Sequence, residues 1–217
     1  MTLDWPNIDT VLLDMDGTLL DLEYDNTLWN HRLPERYAER NRLSHDAARE
    51  LLFEHMRTNR ARIEFYCLDH WARYTQLDIL ALSEELAHLI RYRPHAESFL
   101  AALGRIGKRL VMVTNAHRDS LAIKDKMTGV VARLHRAVSS HDFAVPKEHA
   151  EFWARLAELE PFDPARTLLI DDNADVLDSA AAYGIAYLRT IAQPDSARPP
   201  RATLRHPAID SFEQVMP

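Results

Sequence analysis

Asp14 and Asp16 stand two residues apart, directly after the apolar run Val11-Leu12-Leu13 and directly before Gly17-Thr18. Two carboxylates so spaced at a strand end face one reaction centre from different directions. One can attack as a nucleophile while the other gives and takes a proton. Gly17 lets the backbone approach a bound phosphate, and the N–H groups after it can form an anion nest. Such a cluster repels itself without cations, so a bound Mg²⁺ and a lysine are expected beside it. Further polar groups follow in order along the chain: Thr114-Asn115 after Val113, Lys147 within Val145-Pro146-Lys147-Glu148, and Asp171-Asp172-Asn173 after Ile170. Taken singly these are weak, since Thr114, Asn115 and Asn173 suit helix caps and Asp171-Asp172 suits a helix N-terminus. A lone lysine is ordinarily a solvated surface residue. Their order and their placement at successive strand ends give them weight.

The elements that must position these groups are short apolar runs bounded by turn formers: Val11–Leu13, Leu110–Val113 and Leu168–Ile170, with Ala137–Ser140 and Ile185–Leu188 as further strands. Runs this short suit strands buried on both faces. Helical patterns over Ala96–Arg105, Asp119–Met127, Glu148–Leu159 and Ala174–Tyr183 alternate with them. The alternation predicts an α/β fold, a parallel sheet with helices on both faces, whose ligands bind beyond the carboxyl ends of the strands. Residues from about 24 to 92 break the alternation. They read as helices Glu35–Asn41, His45–Arg57, Arg60–Tyr74 and Leu80–Arg91, with Ser44 as a helix N-cap, and so as a cap over the ligand-binding edge. The Pro- and Arg-rich stretch Gln193–Pro207 reads as an exposed, loosely ordered segment.

The 217 residues carry a net charge of −7, which disfavours nucleic acid as a partner held by bulk electrostatics. A small anionic substrate is compatible with that charge, because a few placed cations and N–H groups outweigh the overall sign. Cys67 is the single cysteine, so no internal disulfide forms. The opening Met1-Thr2-Leu3-Asp4-Trp5 lacks the pattern of a signal peptide, and no apolar run approaches a membrane span. The expectation is a soluble protein of a reducing cytoplasm.

With these four motifs in order, the sequence resembles the haloacid dehalogenase-like (HAD) superfamily over nearly its whole length. The resemblance implies a Rossmann-like core of residues 1–22 and 93–217 and an inserted C1-type helical cap of residues 23–92. It implies that Asp14 attacks phosphorus to form an aspartyl-phosphate, and that Asp16 protonates the leaving oxygen and then activates water. Mg²⁺, with Mn²⁺ or Co²⁺ as substitutes, would be held by the Asp14 carboxylate, the Asp16 carbonyl and Asp172, supported by Asp171. Thr114, Asn115 and Lys147 would hold the phosphate. In one departure, the Asp or Asn that many relatives carry four residues after the metal-binding Asp is Val176 here, with Asp175 adjacent. The runs Thr10–Leu22, Asp25-Asn26, Tyr66-Cys67-Leu68-Asp69 and Thr114-Asn115-Ala116-His117 are similar to those of a narrower branch, bacterial GMP/IMP 5′-nucleotidases. The implied substrate is a small phosphorylated metabolite, a purine nucleoside monophosphate.

Three rivals bear on the same residues. Haloacid dehalogenation also uses a nucleophilic Asp, but halide leaves without a proton, so Asp16 favours the phosphatase. A phosphomutase would pass the phosphoryl group to a second hydroxyl, acting on a sugar phosphate. A catalytically silent binding protein would be free to lose these carboxylates, and none is missing. The loop residues Tyr24, Asp25 and Asn26 are candidates for reading a base, against a role in packing and capping. Phe65, Tyr66, Trp71 and Tyr74 are candidates for stacking, though helical spacing favours packing within the cap. Among the 11 histidines, His135, His141 and His149 match no zinc spacing and read as solvated, while His117 lies at the edge of the expected site.

Overall fold

The computed structural model describes residues 3–217, and Met1 and Thr2, which open both the core segment and the stretch tested for a signal peptide, lie outside the described residues. In chain order the strands are β1 (Thr10–Leu13), β2 (Arg109–Thr114), β3 (Arg136–Ser139), β4 (Thr167–Ile170), β5 (Tyr187–Ile191) and β6 (Ala208–Ile209). The helices are α1 (Glu23–Thr27), α2 (Leu33–Asn41), α3 (His45–Thr58), α4 (Ile63–Tyr66), α5 (Leu68–Thr75), α6 (Ile79–Glu85), α7 (Ala96–Arg105), α8 (Arg118–Thr128), α9 (Ala150–Leu159) and α10 (Ala174–Tyr183). All six strands run parallel in the order β3-β2-β1-β4-β5-β6. Among the described residues no helix is long and apolar enough to cross a membrane.

Alternation along the buried strands sends side chains to two separate cores. Leu12, Val111, Val113 and Leu169 meet α9 and α10 through Phe152, Trp153, Val176 and Leu177. Val11, Leu13, Leu110, Met112 and Ile170 face the other way, toward Phe99 and Leu103 of α7. The register then places the chemistry: Leu13 is level with both Met112 and Ile170. Asp14 and Asp171 therefore leave the sheet side by side, with Thr114 closing β2 next to them.

The helices of residues 23–92 are inserted between β1 and α7, and their two connections run together. Asp21 N–H donates to Arg91 O at 3.0 Å and Arg93 N–H to Leu19 O at 2.9 Å, so a two-stranded hinge carries the insert. Ser44 caps α3, its hydroxyl accepting from Ala47 N–H at 3.2 Å.

The structure departs from the sequence reading in five places. The pattern read as one helix over Leu80–Arg91 is α6 only to Glu85, followed by a tighter 3-10 turn over Ala87–Leu89 that leads the chain back to the core. Ahead of α2, α1 and a π-helical turn over Leu28–Arg32 extend the first helix backwards. The pattern read as one helix over Arg60–Tyr74 breaks at Cys67, whose ψ of 111° is extended. There the Trp71 indole donates to Phe65 O at 2.9 Å and holds the break. Helix α9 begins at Ala150, which leaves Glu148 in the loop before it. Finally, the Gln193–Pro207 segment is not loose throughout. Asp195 is buried and accepts from Asn26 Nδ2 at 2.6 Å, Ser196 N–H donates to Asp21, and Arg201 reaches Asp172, after which β6 joins the sheet.

Candidate active site

The strand ends bring most of the sequence candidates into one cluster. Lys147, buried, donates from Nζ to Asp14 Oδ1 at 2.6 Å, to Asp171 Oδ2 at 2.7 Å and to Val113 O at 3.0 Å. Asn115 Oδ1 accepts from Lys147 N–H at 3.0 Å and so fixes the loop that delivers the lysine. The Thr114 hydroxyl accepts from Ala116 N–H at 3.0 Å and lines the same cavity as Asp14, Asp16, Lys147, Asp171 and Asp172.

Carboxylate oxygens of Asp14, Asp171 and Asp172 lie within 4.8 Å of one another. Burial, partly offset by Lys147 and aggravated by Asp171, pushes Asp14 up to about 7. Burial likewise pushes Asp171 up to about 6 against the opposing pull of Lys147, and burial with the Asp14 charge pushes Asp172 to about 6. Lys147 reaches Asp14 and Asp171 but not Asp172, which is met from outside by Arg201, so three carboxylates share two cations, and an all-oxygen donor set of this size fits a hard divalent cation. Protons and the cation compete for these oxygens. Without metal, the raised carboxylates favour the folded state when protonated, and that contribution fades as pH rises from about 4 to about 7. The increase in Tm on adding Mg²⁺ is therefore expected to be small at about pH 5 and larger at about pH 8. A Mg²⁺-induced shift that is flat or falling with pH in thermal denaturation would contradict a carboxylate site.

Gly17 has a φ of +77°, and a Cβ there would lie 2.9 Å from Asp172 Cγ and 3.0 Å from Pro194 Cβ. The glycine thus serves the packing of a candidate metal carboxylate. Gly17→Ala adds left-handed strain to overpacking, each on the order of 1–3 kcal/mol. Urea denaturation should show a stability loss of about 2 kcal/mol or more, with weakened Mg²⁺ binding because Asp172 is displaced. An unchanged midpoint and unchanged metal affinity would remove this role for Gly17.

Several functional neighbours carry no local sequence signal. Lys124 of α8, buried, donates to Asp16 Oδ1 at 2.6 Å and to Asp25 Oδ1 at 2.8 Å. Asp25 is pushed up to about 7 by burial and then by Asp16, against the pull of Lys124. Glu148 joins insert and core, accepting from Tyr66 OH at 2.5 Å, Asn115 Nδ2 at 2.9 Å and Asn173 Nδ2 at 3.1 Å. Burial and the Glu148 charge drive the Tyr66 phenol well above its ordinary range, so it stays a donor. Arg201 holds Asp172, Nη2 to Oδ2 at 2.7 Å, while Asp175 pairs outward with Arg60 and Arg205. Asp175 therefore does not replace the acidic residue missing at position 176, where Val176 is buried core.

Above this floor the cavity, about 230 Å³, is walled by Trp29, Met56, Phe65, Tyr66 and Trp71 of the insert. Trp29 comes from the π-helical turn, a local irregularity of the kind often found at functional sites. Tyr24, read as a possible aromatic face, is instead buried with its hydroxyl on Ser83 O at 3.2 Å, and Asn26 is engaged by Asp195 and Asn30. Of that trio only Asp25 lines the cavity. Tyr74 lies outside the cavity lining and stacks on His55 and Tyr37. His135 and His149 are exposed as expected. His141 is half-buried against His117, and burial followed by that neighbour lowers it to about 4.

Comparison with known proteins gives the site a context. The profile of the haloacid dehalogenase-like hydrolase family matches residues 8–184. The GMP/IMP nucleotidase YrfG of Escherichia coli (strain K12) is 37% identical over 217 residues, covering 100% of this chain and 98% of that protein. Among solved structures, a HAD phosphatase from Thermococcus onnurineus is similar with a TM-score of 0.79 at 19% identity, over 95% of each chain. The L-2-haloacid dehalogenase of Xanthobacter autotrophicus is similar with a TM-score of 0.59 at 18% identity, over 85% of this chain and 78% of that one. At those identities the structural likenesses speak to the fold alone.

Proposed function

This chain belongs to the haloacid dehalogenase-like hydrolase family, and from that premise we propose that it removes phosphate from purine nucleoside 5′-monophosphates, GMP and IMP first among them. The observation that carries the purine reading is the whole-length 37% identity to a GMP/IMP nucleotidase. The aromatic wall of Trp29, Phe65 and Trp71 in one cavity with Lys147 and a carboxylate set suited to a divalent cation agrees with it, since a base needs π-faces and a phosphate needs cations.

In this reading residues 23–92 act as a cap on the core, and Asp14, Asp172 and the Asp16 carbonyl hold Mg²⁺, with Asp171 in support. The metal, when bound, neutralises charge between phosphate and Asp14. Lys147 and Thr114 hold phosphate oxygens, and Asn115 fixes the lysine loop. Asp14 Oδ attacks phosphorus and the bond to the 5′ oxygen breaks, while Asp16 delivers a proton to that oxygen. The nucleoside leaves as an alcohol. Asp16, now a carboxylate, takes a proton from water, whose oxygen attacks phosphorus, and inorganic phosphate and free Asp14 are regenerated. Dehalogenation makes no use of the Asp16 proton, and Asp16 stands here at the cavity with Lys124 orienting it.

The deciding experiment measures phosphate release from GMP, IMP, AMP, CMP, UMP, FMN and sugar phosphates with Mg²⁺ present. A 6-oxopurine offers an acceptor at O6 and a donor at N1, and adenine reverses both. Unpaired groups of this kind cost about 1–3 kcal/mol each, so kcat/KM for GMP and IMP is expected about tenfold or more above AMP. A sugar phosphate that outperforms every purine nucleotide would overturn the substrate class and leave the phosphatase chemistry standing.

A further inference from the structure

We propose that Cys67, His117 and His141 form a second metal site, for one Zn²⁺-class ion, that ties the helical insert to the core beside the catalytic cavity. A ligand atom from each of the three lies within 4.8 Å of the other two, and all three residues are half-buried. They come from three separate segments, so no sequence spacing announces them. Cys67 sits at the extended break between α4 and α5, and His117 is the N-cap residue of α8. His141 lies in the short helical turn after β3.

The two histidines are held in place before any metal arrives. The Ser139 hydroxyl accepts from His141 N–H at 3.2 Å and donates to Ala116 O at 2.6 Å, pinning together the loops that carry them. His141 Nε2 is buried and has no hydrogen-bond partner among the described residues. Leaving such an atom unpaired costs about 1–3 kcal/mol, a penalty that ligation removes. His117 Nδ1 accepts from Asp119 N–H at 3.3 Å, so the imidazole is held over the first turn of α8.

The donor set decides which ion fits. One thiolate and two imidazoles favour Zn²⁺ and similar borderline or soft ions over Mg²⁺, whereas the neighbouring all-carboxylate cluster favours the hard ion. Zinc bonds of about 2.0–2.3 Å require the ligand atoms to sit about 3.3–3.6 Å apart in a tetrahedron. The three ligand atoms, already within 4.8 Å of one another, reach that spacing by side-chain rotation, and the bonds then link Cys67 of the insert to two loops of the core. His117 also lines the catalytic cavity. Occupancy fixes that wall and holds the insert down, which slows any turnover that depends on opening for product release.

The test uses full-length, metal-stripped, reduced protein with Mg²⁺ in excess, so that the carboxylate site is filled. Added Co²⁺ is expected to give a sulfur-to-cobalt charge-transfer band in the near ultraviolet, saturating at one equivalent and erased by Zn²⁺. Loss of an outer-shell partner alone weakens metal affinity about 10–100-fold, so His141→Gln should weaken it about a hundredfold or more, and Cys67→Ser should abolish the band. Cys67→Ser should retain wild-type kcat in Mg²⁺ alone while losing the severalfold inhibition that micromolar Zn²⁺ exerts on the wild type. Absence of the band overturns the site, as does a band whose affinity is unchanged in His141→Gln, which would mean an isolated thiolate. Zn²⁺ inhibition equal in wild type and Cys67→Ser overturns the clamp.

Discussion

Asp14→Asn lowers kcat on every phosphomonoester by on the order of 10⁴-fold or more while the protein remains folded. The amide is isosteric with the carboxylate, and its oxygen can still accept from Lys147 Nζ, which lies 2.6 Å from Asp14 Oδ1. It cannot attack phosphorus. The stability readout separates loss of chemistry from loss of structure. Burial raises Asp14 to about 7, so in the metal-free wild type this carboxylate disfavours the folded state increasingly as pH climbs from about 4 to about 7. A neutral amide escapes that penalty. In chelator at about pH 8 the variant is expected to melt no lower than wild type, and it should lose most of the Mg²⁺-induced rise in Tm. Activity above a few per cent of wild type, in a preparation shown by mass spectrometry to carry the amide, would end the covalent mechanism.

What could be read from the chain was whatever lay next to its own strand. Asp14, Thr114 and Asp171 each terminate an apolar run, and the parallel register that aligns Leu13 with Met112 and Ile170 turns three distant positions into one site. Lys147 lies away from any strand end, but its place in the motif order found it. Lys124 and Glu148 escaped for a physical reason. Both sit in helical patterns where charged residues normally face solvent, and their partners come partly from the insert, Asp25 for Lys124 and Tyr66 for Glu148. Trp29 was hidden by a π-helical turn that breaks the period on which helix reading depends. Cys67 was hidden by a break in what reads as one amphipathic helix, and its partners His117 and His141 belong to two other loops. Arg201 belongs to a segment whose composition marks it as exposed, yet it reaches Asp172 because Asp195 and Ser196 anchor the chain before it. The floor of the site follows from strand ends, whereas its walls depend on contacts across the hinge that local patterns do not encode.

The contact across that hinge with the largest expected effect is Lys124. Its ammonium is buried between Asp16 of the core and Asp25 of the insert, and also lies 5.1 Å from the centre of the Tyr24 ring. Burial alone would lower its pKa, but Asp16 and then Asp25 outweigh that and hold it above the ordinary lysine value, so it stays charged. Lys124→Met keeps much of the volume and removes the cation, leaving two carboxylates facing each other. Breaking a buried ion pair from one side costs about 3–5 kcal/mol, equivalent in a chain of this size to a fall in Tm of about 10 °C. The loss should depend on pH. Asp25 is raised to about 7 even with the lysine present, so in the variant a proton can stand in for the ammonium at about pH 5, and the destabilisation should be greatest above about pH 7. Asp16 also loses the ammonium that holds its carboxylate at the cavity. An acid and base that is no longer oriented serves both proton transfers poorly, so kcat is expected to fall about tenfold or more. The double variant Lys124→Met/Asp25→Asn removes the repulsion and should recover most of the lost stability, while Asp16 still lacks its orienting cation and kcat stays depressed. Urea denaturation at two pH values, with kcat measured for each variant, reads all of this. A stability loss under about 1 kcal/mol with kcat unchanged would show that Lys124 only fills space.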